Sequence, residues 1–268
     1  MIDRICISLN NRCNLRCTYC HFREKGPLDE RPMDISAILQ NAIAYARHPF
    51  KIGFVGNGEP FLDLPLLKEC LQILDGHPLF SAYTITNGTI PLSPEDIRFL
   101  EQRHVNVGFS LDGYQELHDR YRCRTFRTVM DNVEAYRDAA GHYPSFNATV
   151  GPESLRNRER LFAFFAPFGS RVTFSRMIGP QGISLPEYRA FLEEAGQHLS
   201  VRLGGLDCTM YGGQCGAGRN NYFFANGSVY YCGNCVDLPP LVDSSVSFFE
   251  LENIHLEFDR SRCYKESL

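Results

Sequence analysis

Long apolar runs are missing from this sequence. No stretch approaches the ~20 consecutive apolar residues that a membrane-spanning helix needs. The opening Met1-Ile2-Asp3-Arg4 passes straight into a strand-like run without the apolar core of a secretion signal. Both absences exclude a membrane partner and leave the cytoplasm as the expected location. Basic charge is not in excess either: Lys and Arg number 27 against 31 Asp and Glu, a net charge of −4. With no basic stripe to neutralise phosphates, nucleic acid is excluded as an expected partner. Internal repeats and low-complexity tracts are also lacking, so solenoid and disordered classes fall away.

What remains is a chain of 268 residues, 44% of them hydrophobic, enough for one sizeable α/β core with a small appended unit. Its unusual feature is eleven cysteines. In a reducing compartment these are hard to read as disulfides, and metal ligation is the leading explanation. They fall into two groups, Cys13, Cys17 and Cys20 near the start and Cys208, Cys215, Cys232, Cys235 and Cys263 near the end. The expectation is two metal centres, one per group.

Short β-branched and apolar runs at Arg4–Leu9, Ile52–Gly56, Tyr83–Thr86, Val105–Ser110, Phe146–Val150 and Val172–Arg176 predict strands. Between them, Pro32–Arg47, Pro65–Leu74, Pro94–Gln102, Thr128–Ala139 and Ser154–Ala166 carry helical periodicity. Strands separated by helices pair in parallel, so the alternation predicts an α/β fold, its sheet curled into a partial barrel or left open. In either form chemistry belongs at the carboxyl ends of the strands. Near residue 200 the pattern changes: Gly204, Gly205, Gly212 and Gly213 break periodicity. Beyond them Asn226-Gly227, between two aromatic-rich runs, predicts a β-hairpin with a type I′ turn.

Cys13, Cys17 and Cys20 form C-x3-C-x2-C directly after the first strand. Three thiolates plus His21 would satisfy a structural zinc ion. Three thiolates alone would hold a four-iron cluster with one iron open to a substrate or cofactor. The segment Ile7-Ser8-Leu9-Asn10-Asn11-Arg12-Cys13-Asn14-Leu15-Arg16-Cys17-Thr18-Tyr19-Cys20 resembles the signature of the radical S-adenosylmethionine (SAM) superfamily. Further landmarks follow in family order. Gly56-Asn57-Gly58-Glu59-Pro60 resembles the Gly-Gly-Glu-Pro turn with Asn57 in place of a glycine, Thr86-Asn87-Gly88 and Ser110-Leu111-Asp112-Gly113 end the next strands, and His118-Asp119-Arg120-Tyr121-Arg122 resembles a His-Asp-x-x-Arg loop.

The resemblance implies a partial (β/α)6 TIM-like barrel over residues 1–200. It also implies a [4Fe-4S] cluster on Cys13, Cys17 and Cys20, and reductive cleavage of SAM to methionine and a 5′-deoxyadenosyl radical. Tyr19, Gly58, Glu59, Asn87, Ser110, Asp112 and Arg122 are then expected around the cofactor, and a flavodoxin- or ferredoxin-type protein is the expected electron donor. Without the joint order, Ser110 and Asp112 read more readily as turn or helix-cap residues.

Cys215, Gly227 and Cys232 are spaced as in the SPASM and twitch auxiliary-cluster motif, which implies a hairpin-plus-helix unit over residues 201–268 holding an auxiliary [4Fe-4S] cluster. Cys208 and Cys235 could complete the ligands, with Cys263 a competing fourth. A zinc ribbon satisfies the same cysteines. The chain ends before the late cysteines of full SPASM domains, so the shorter twitch form fits better. Cys6 and Cys70 read as core residues, and Cys123 either packs in its loop or approaches the active site.

Sulfatase-maturing members carry an aspartate base after the cysteine matching Cys232, where this chain has Gly233. Many peptide-modifying members also carry a leader-binding domain ahead of the first cysteines, expected absent here because the motif begins at Cys13. The readings left are oxidative modification of a ribosomally made peptide, dehydrogenation or epimerisation of a small polar metabolite such as an aminoglycoside, and a zinc-stabilised binding module without catalysis.

Overall fold

The computed structural model describes residues 1–20, 22, 31–177, 179, 181–201 and 216–254. Nine strands form one sheet: β1 (Arg4–Ile7), β2 (Phe50–Phe54), β3 (Phe80–Thr86), β4 (Asn106–Ser110), β5 (Ser145–Val150), β6 (Val172–Arg176), β7 (Asn221–Ala225), β8 (Ser228–Tyr230) and β9 (Val242–Asp243). Their order is β6-β5-β4-β3-β2-β1-β7-β8-β9. The first six pair in parallel, as strands joined through helices must, and among the described residues β6 meets beyond β5 only a single bridge, Val172 to Val201, so the barrel is partial.

The helices are α1 (Ile35–Tyr45), α2 (Leu64–Ile73), α3 (Pro94–Gln102), α4 (Gln115–Tyr121), α5 (Phe126–Ala140), α6 (Pro152–Arg156), α7 (Arg158–Phe165), α8 (Leu185–His198) and α9 (Phe248–Asn253). Local chemistry fixes their ends. Ser93 and Asp96 close a capping box around Pro94 at the start of α3, and Ser184 with Glu187 does the same for α8. α5 stops where Gly141 turns left-handed at φ 81°. The segment 154–166, expected as one helix, breaks at Asn157, whose ψ of 31° lies outside the helical range, into α6 and α7.

One face of the sheet is apolar and covered. Ile5, Ile52, Phe54, Phe146 and Val150 share a single hydrophobic core with Leu39, Leu71, Val133 and Phe165 of the helices. Each such side chain removed from water contributes about 1.5–3 kcal/mol, which makes this face the main source of stability. The other face is mixed: β5 alternates buried Phe146, Ala148 and Val150 with half-buried Ser145, Asn147 and Thr149, while Phe223 and Ala225 of β7 pack there with Tyr230 and Val236. A parallel sheet covered on both sides would read as an unbroken apolar run. The alternation therefore marks the inner face of β5 as its polar side.

The hairpin β7–β8 turns at Asn226 (φ 53°) and Gly227 (φ 69°), as the Asn-Gly pair predicts. It is continuous with the main sheet. β7 pairs in parallel with β1 from Arg4↔Asn221 to Ile7↔Phe224, and Phe248 of α9 packs on Phe50, Tyr45 and Phe224. Gly204, Gly205, Gly212 and Gly213 lie outside the described residues.

Candidate active site

The loop that follows β1 is clasped by the ends of three neighbouring strand-helix units. From β2, the Glu59 amide donates to Arg12 O at 2.7 Å, and the Asn57 amide donates to Ser8 Oγ at 3.0 Å. Asn10 Nδ2 returns a bond to Asp63 Oδ2 at 2.6 Å. A side chain at Gly58 would place its Cβ 2.1 Å from Asn10 Oδ1 and 2.4 Å from Arg12 O, so the glycine is what lets the turn close on the loop. From β3, Asn87 Nδ2 donates to Asn14 Oδ1 at 2.7 Å and lies 3.9 Å from Cys13 Sγ. From the end of α4, Tyr121 O accepts from the Thr18 amide at 3.0 Å and Cys123 Sγ accepts from the Arg16 amide at 3.2 Å.

Two buried carboxylates fasten this arrangement. Glu59, 2% exposed, accepts from the Phe61 amide, from Thr86 Oγ1 at 2.8 Å and from the Asn87 amide at 2.6 Å. Burial raises its pKa, and these three donors work against the rise. Asp112, 1% exposed, accepts from Tyr19 Oη at 2.6 Å and Arg122 Nε at 3.0 Å through one oxygen, and from the Thr149 amide at 2.9 Å through the other. It thereby joins the cysteine loop, β4, α4 and β5. The Arg122 pairing runs through Nε. Burial acts to lower the Arg122 pKa, but Asp112 beside it holds the guanidinium above its ordinary range. Burial likewise pushes the Tyr19 phenol well above its ordinary value, which keeps it a donor to Asp112. The Tyr19 ring lies 5.5 Å from the Arg122 guanidinium.

His118 is fully buried, and burial pushes its pKa down to about 4. Its Nδ1 accepts a long bond from the Asp112 amide at 3.4 Å. Thr125 Oγ1 donates to Arg122 O, so His118 Nε2 carries the proton and donates to Thr125. Asp119 accepts from the Phe126 amide at the start of α5. The His118-to-Arg122 stretch is thus a positioning device for Asp112. Its sequence signature was legible; these hydrogen bonds were not, because each crosses to another element.

The thiols line the mouth of the clasped loop. Cys13 is exposed, and Cys17 and Cys20 are half-buried. Burial raises Cys13 and pushes Cys17 up to about 11, with the Arg122 charge opposing the rise at Cys17. Cys20 acts electrostatically on both, so the three share one neighbourhood. Among the described residues no three His, Cys, Asp or Glu side chains converge on a single metal ion. A cubane cluster spaces its ligands more widely than one ion does, and three thiols around one mouth fit that larger group. Nearby, Asn57 Oδ1 is buried without a donor among the described residues, an acceptor of the kind an ammonium group takes. Ser110 sits buried at the end of β4.

Of the second cysteine group, Cys232 and Cys235 are described, their sulfurs 3.7 Å apart at the end of the hairpin. Cys208, Cys215 and Cys263 lie outside the described residues, as does His21. A Cβ at Gly233 would meet the Phe223 ring at 3.0 Å, so the place of the aspartate base in sulfatase-maturing members is backed by an aromatic ring. Cys70 is a core residue as expected. Cys6 is half-buried on the inner face, packed against the smaller apolar cluster of Phe223, Ala225, Tyr230 and Val236, 3.3 Å from Tyr83 Oη and within electrostatic reach of Cys232. The strand's own composition could not show the approach to Cys232, which arises from the pairing of β7 with β1. Tyr83 and Asn147 lean over Gly53 and Gly108 of the adjacent strands and fill the space that side chains there would take.

The sequence profile of the Radical SAM superfamily, whose members bind SAM on a [4Fe-4S] cluster, matches residues 7–165. The chain is 24% identical over 172 residues to the cysteine-type anaerobic sulfatase-maturating enzyme of Clostridium novyi, covering 58% of this chain and 46% of that one. The chain spans about half the length of the curated relatives it matches. Its fold superposes on anSMEcpe with bound AdoMet at a TM-score of 0.76 and 20% identity, covering 98% of this chain and 82% of that one. It superposes on Streptococcus suis SuiB bound to precursor peptide SuiA at 0.75 and 14%, covering 99% and 69%. A profile match that spans the clasped cysteine loop and the strand ends carrying Glu59 and Asp112 settles the family: the chain belongs to the radical SAM superfamily.

Proposed function

We propose that this chain oxidises a ribosomally made peptide, by cross-linking or dehydrogenation, with a radical drawn from SAM. Cys13, Cys17 and Cys20 hold the cluster. When bound, it supplies the electron that cleaves SAM to methionine and the hydrogen-abstracting 5′-deoxyadenosyl radical. The observation that carries the reading is the clasp itself: Glu59 and Asp112, both buried and both bonded across elements, hold the cysteine loop against three strand ends. Asn57 Oδ1 and the turn at Gly58 stand ready for the cofactor's ammonium group, with Asn87 and Ser110 at the neighbouring strand ends. Tyr19, under Arg122 and bonded to Asp112, offers an aromatic face.

An auxiliary [4Fe-4S] cluster on Cys208, Cys215 and Cys232, with Cys235 or Cys263 as fourth ligand, accepts the electron that the substrate loses. The small-unit boundary near residue 201 belongs to the same reading, as do a flavodoxin- or ferredoxin-type donor and a cytoplasmic location. Among the described residues no helix is long and apolar enough to cross a membrane. A peptide substrate is supported by the likeness to SuiB with its precursor peptide. Gly233 over Phe223 leaves the chemistry of serine or cysteine oxidation by an adjacent aspartate without its base.

The test is to incubate the anaerobically reconstituted enzyme, SAM and reductant with short peptides encoded beside its gene, and to read product mass. A product lighter by two hydrogens, formed with 5′-deoxyadenosine, supports the reading. SAM cleavage with unchanged peptides, and an oxidised small polar metabolite instead, contradicts it.

A further inference from the structure

We propose that Asn226, in the turn of the β7–β8 hairpin, is a positioning residue for the turn that takes SAM: through Asn11 it sets which end of the Asn57 side-chain amide is offered to the cofactor's ammonium group. The inference rests on the reading of that turn given above and deepens it with a residue from another part of the chain.

Three asparagines from three segments are bonded in series. Asn57 Nδ2 donates to Asn11 Oδ1 at 2.9 Å, and Asn11 Nδ2 donates to Asn226 Oδ1 at 2.6 Å. The series ends at Asn57 Oδ1, a buried acceptor with no donor among the described residues, on a residue only 9% exposed. A buried acceptor left without a donor is costly, and it is found where a ligand supplies the missing partner. Each side-chain amide has one donating and one accepting end, so turning one over in such a series turns over the next. With Asn226 accepting, Asn11 points its oxygen at Asn57, and Asn57 points its nitrogen back at Asn11. The oxygen of Asn57 is thereby the end left unpaired. Reversal of the series would leave a donor there instead, and a donor repels an ammonium group.

The backbone at both ends of the series is tied down, so amide rotation is the freedom that the series removes. The Asn57 amide donates to Ser8 Oγ at 3.0 Å, and Ser8 Oγ donates to Asn10 O at 2.9 Å, which joins the turn to the residue before Asn11. Asn226 is held at φ 53° beside Gly227 at φ 69°, in a hairpin whose β7 pairs with β1. Where the family's turn has a glycine, Asn57 adds an acceptor, and the hairpin adds the partner that orients it.

The experiment titrates SAM calorimetrically into the anaerobically reconstituted full chain as wild type, Asn226→Gly, Asn226→Asp, Asn57→Gly and the double variant Asn57→Gly with Asn226→Gly. Glycine at 226 keeps the left-handed turn and removes the acceptor, whereas aspartate keeps the acceptor and has no donor. Asn226→Gly should weaken SAM binding several-fold, and Asn226→Asp should match wild type. In the Asn57→Gly background the change at 226 should have no further effect, because the series has lost its inner end. A residue that only builds the turn would give unchanged affinity in Asn226→Gly, equal losses in the glycine and aspartate variants, or the same loss in both backgrounds. Any of these results overturns the proposal. A wild type that binds SAM while all variants bind it equally removes the role of Asn226 and Asn57 and leaves the cluster assignment standing. A wild type that carries iron yet does not bind SAM removes the reading of the turn as well.

Discussion

At the scale of single residues, the site is organised by buried polar groups whose partners come from other elements. Asp112 and Arg122 form a buried ion pair, 0% and 11% exposed in their side chains. Removing one partner of such a pair leaves the other charge uncompensated, at a cost of about 3–5 kcal/mol. Asp112→Asn should lower the free energy of urea unfolding by that order, whereas Arg160→Gln, whose exposed pair with Glu116 is worth little, should leave it unchanged within error. His118 adds a pH signature. Its native pKa of about 4 lies below the ordinary imidazole value of 6.5. Below about pH 6.5 the unfolded chain binds a proton that the native state refuses, so stability falls as pH drops through that value and levels off near pH 4. The full effect is about 3 kcal/mol. Urea midpoints measured between pH 7 and pH 4 should therefore be flatter in His118→Gln than in wild type; parallel curves would show that His118 is not kept neutral by burial.

At the scale of elements, the turn at Gly58 and the loop it closes form one unit. A methyl group there would clash with Asn10 and with the Arg12 carbonyl, which is backbone and cannot swing away. Gly58→Ala should keep the fold, since the β2 strand ends before it, yet lose the iron bound at the first cysteine group. Near-normal iron content in the folded variant would contradict this. How far such elements were legible follows from what each depends on. The Asn226-Gly227 turn was readable because its positive φ values are a local demand. The core strands were readable because burial imposes their pattern. α8 went unread although Ser184-Leu185-Pro186-Glu187 is a capping box with an early proline and Tyr188, Phe191, Leu192 and Ala195 follow at helical spacing. The parallel pairing of β7 with β1 spans more than two hundred residues of chain and leaves no local trace.

At the scale of the whole molecule, the parallel strands carry a clasped cysteine loop at their carboxyl ends, and the Cys232–Cys235 pair stands at the end of a hairpin hydrogen-bonded to β1. The motif order along the chain was legible because each landmark follows a strand. The stapling of the loop by Glu59 and Asp112, and the approach of Cys123 and Cys6 to the two cysteine groups, were not, because they arise only when the sheet brings distant ends together. The central claim is that the Cys13, Cys17 and Cys20 loop is the catalytic centre. Its most direct test is to replace all three by alanine, reconstitute the protein anaerobically, and measure 5′-deoxyadenosine formed from SAM under reduction. The account predicts no 5′-deoxyadenosine and retention of about four of about eight irons, those of the auxiliary centre. Undiminished SAM cleavage by the triple variant would contradict it.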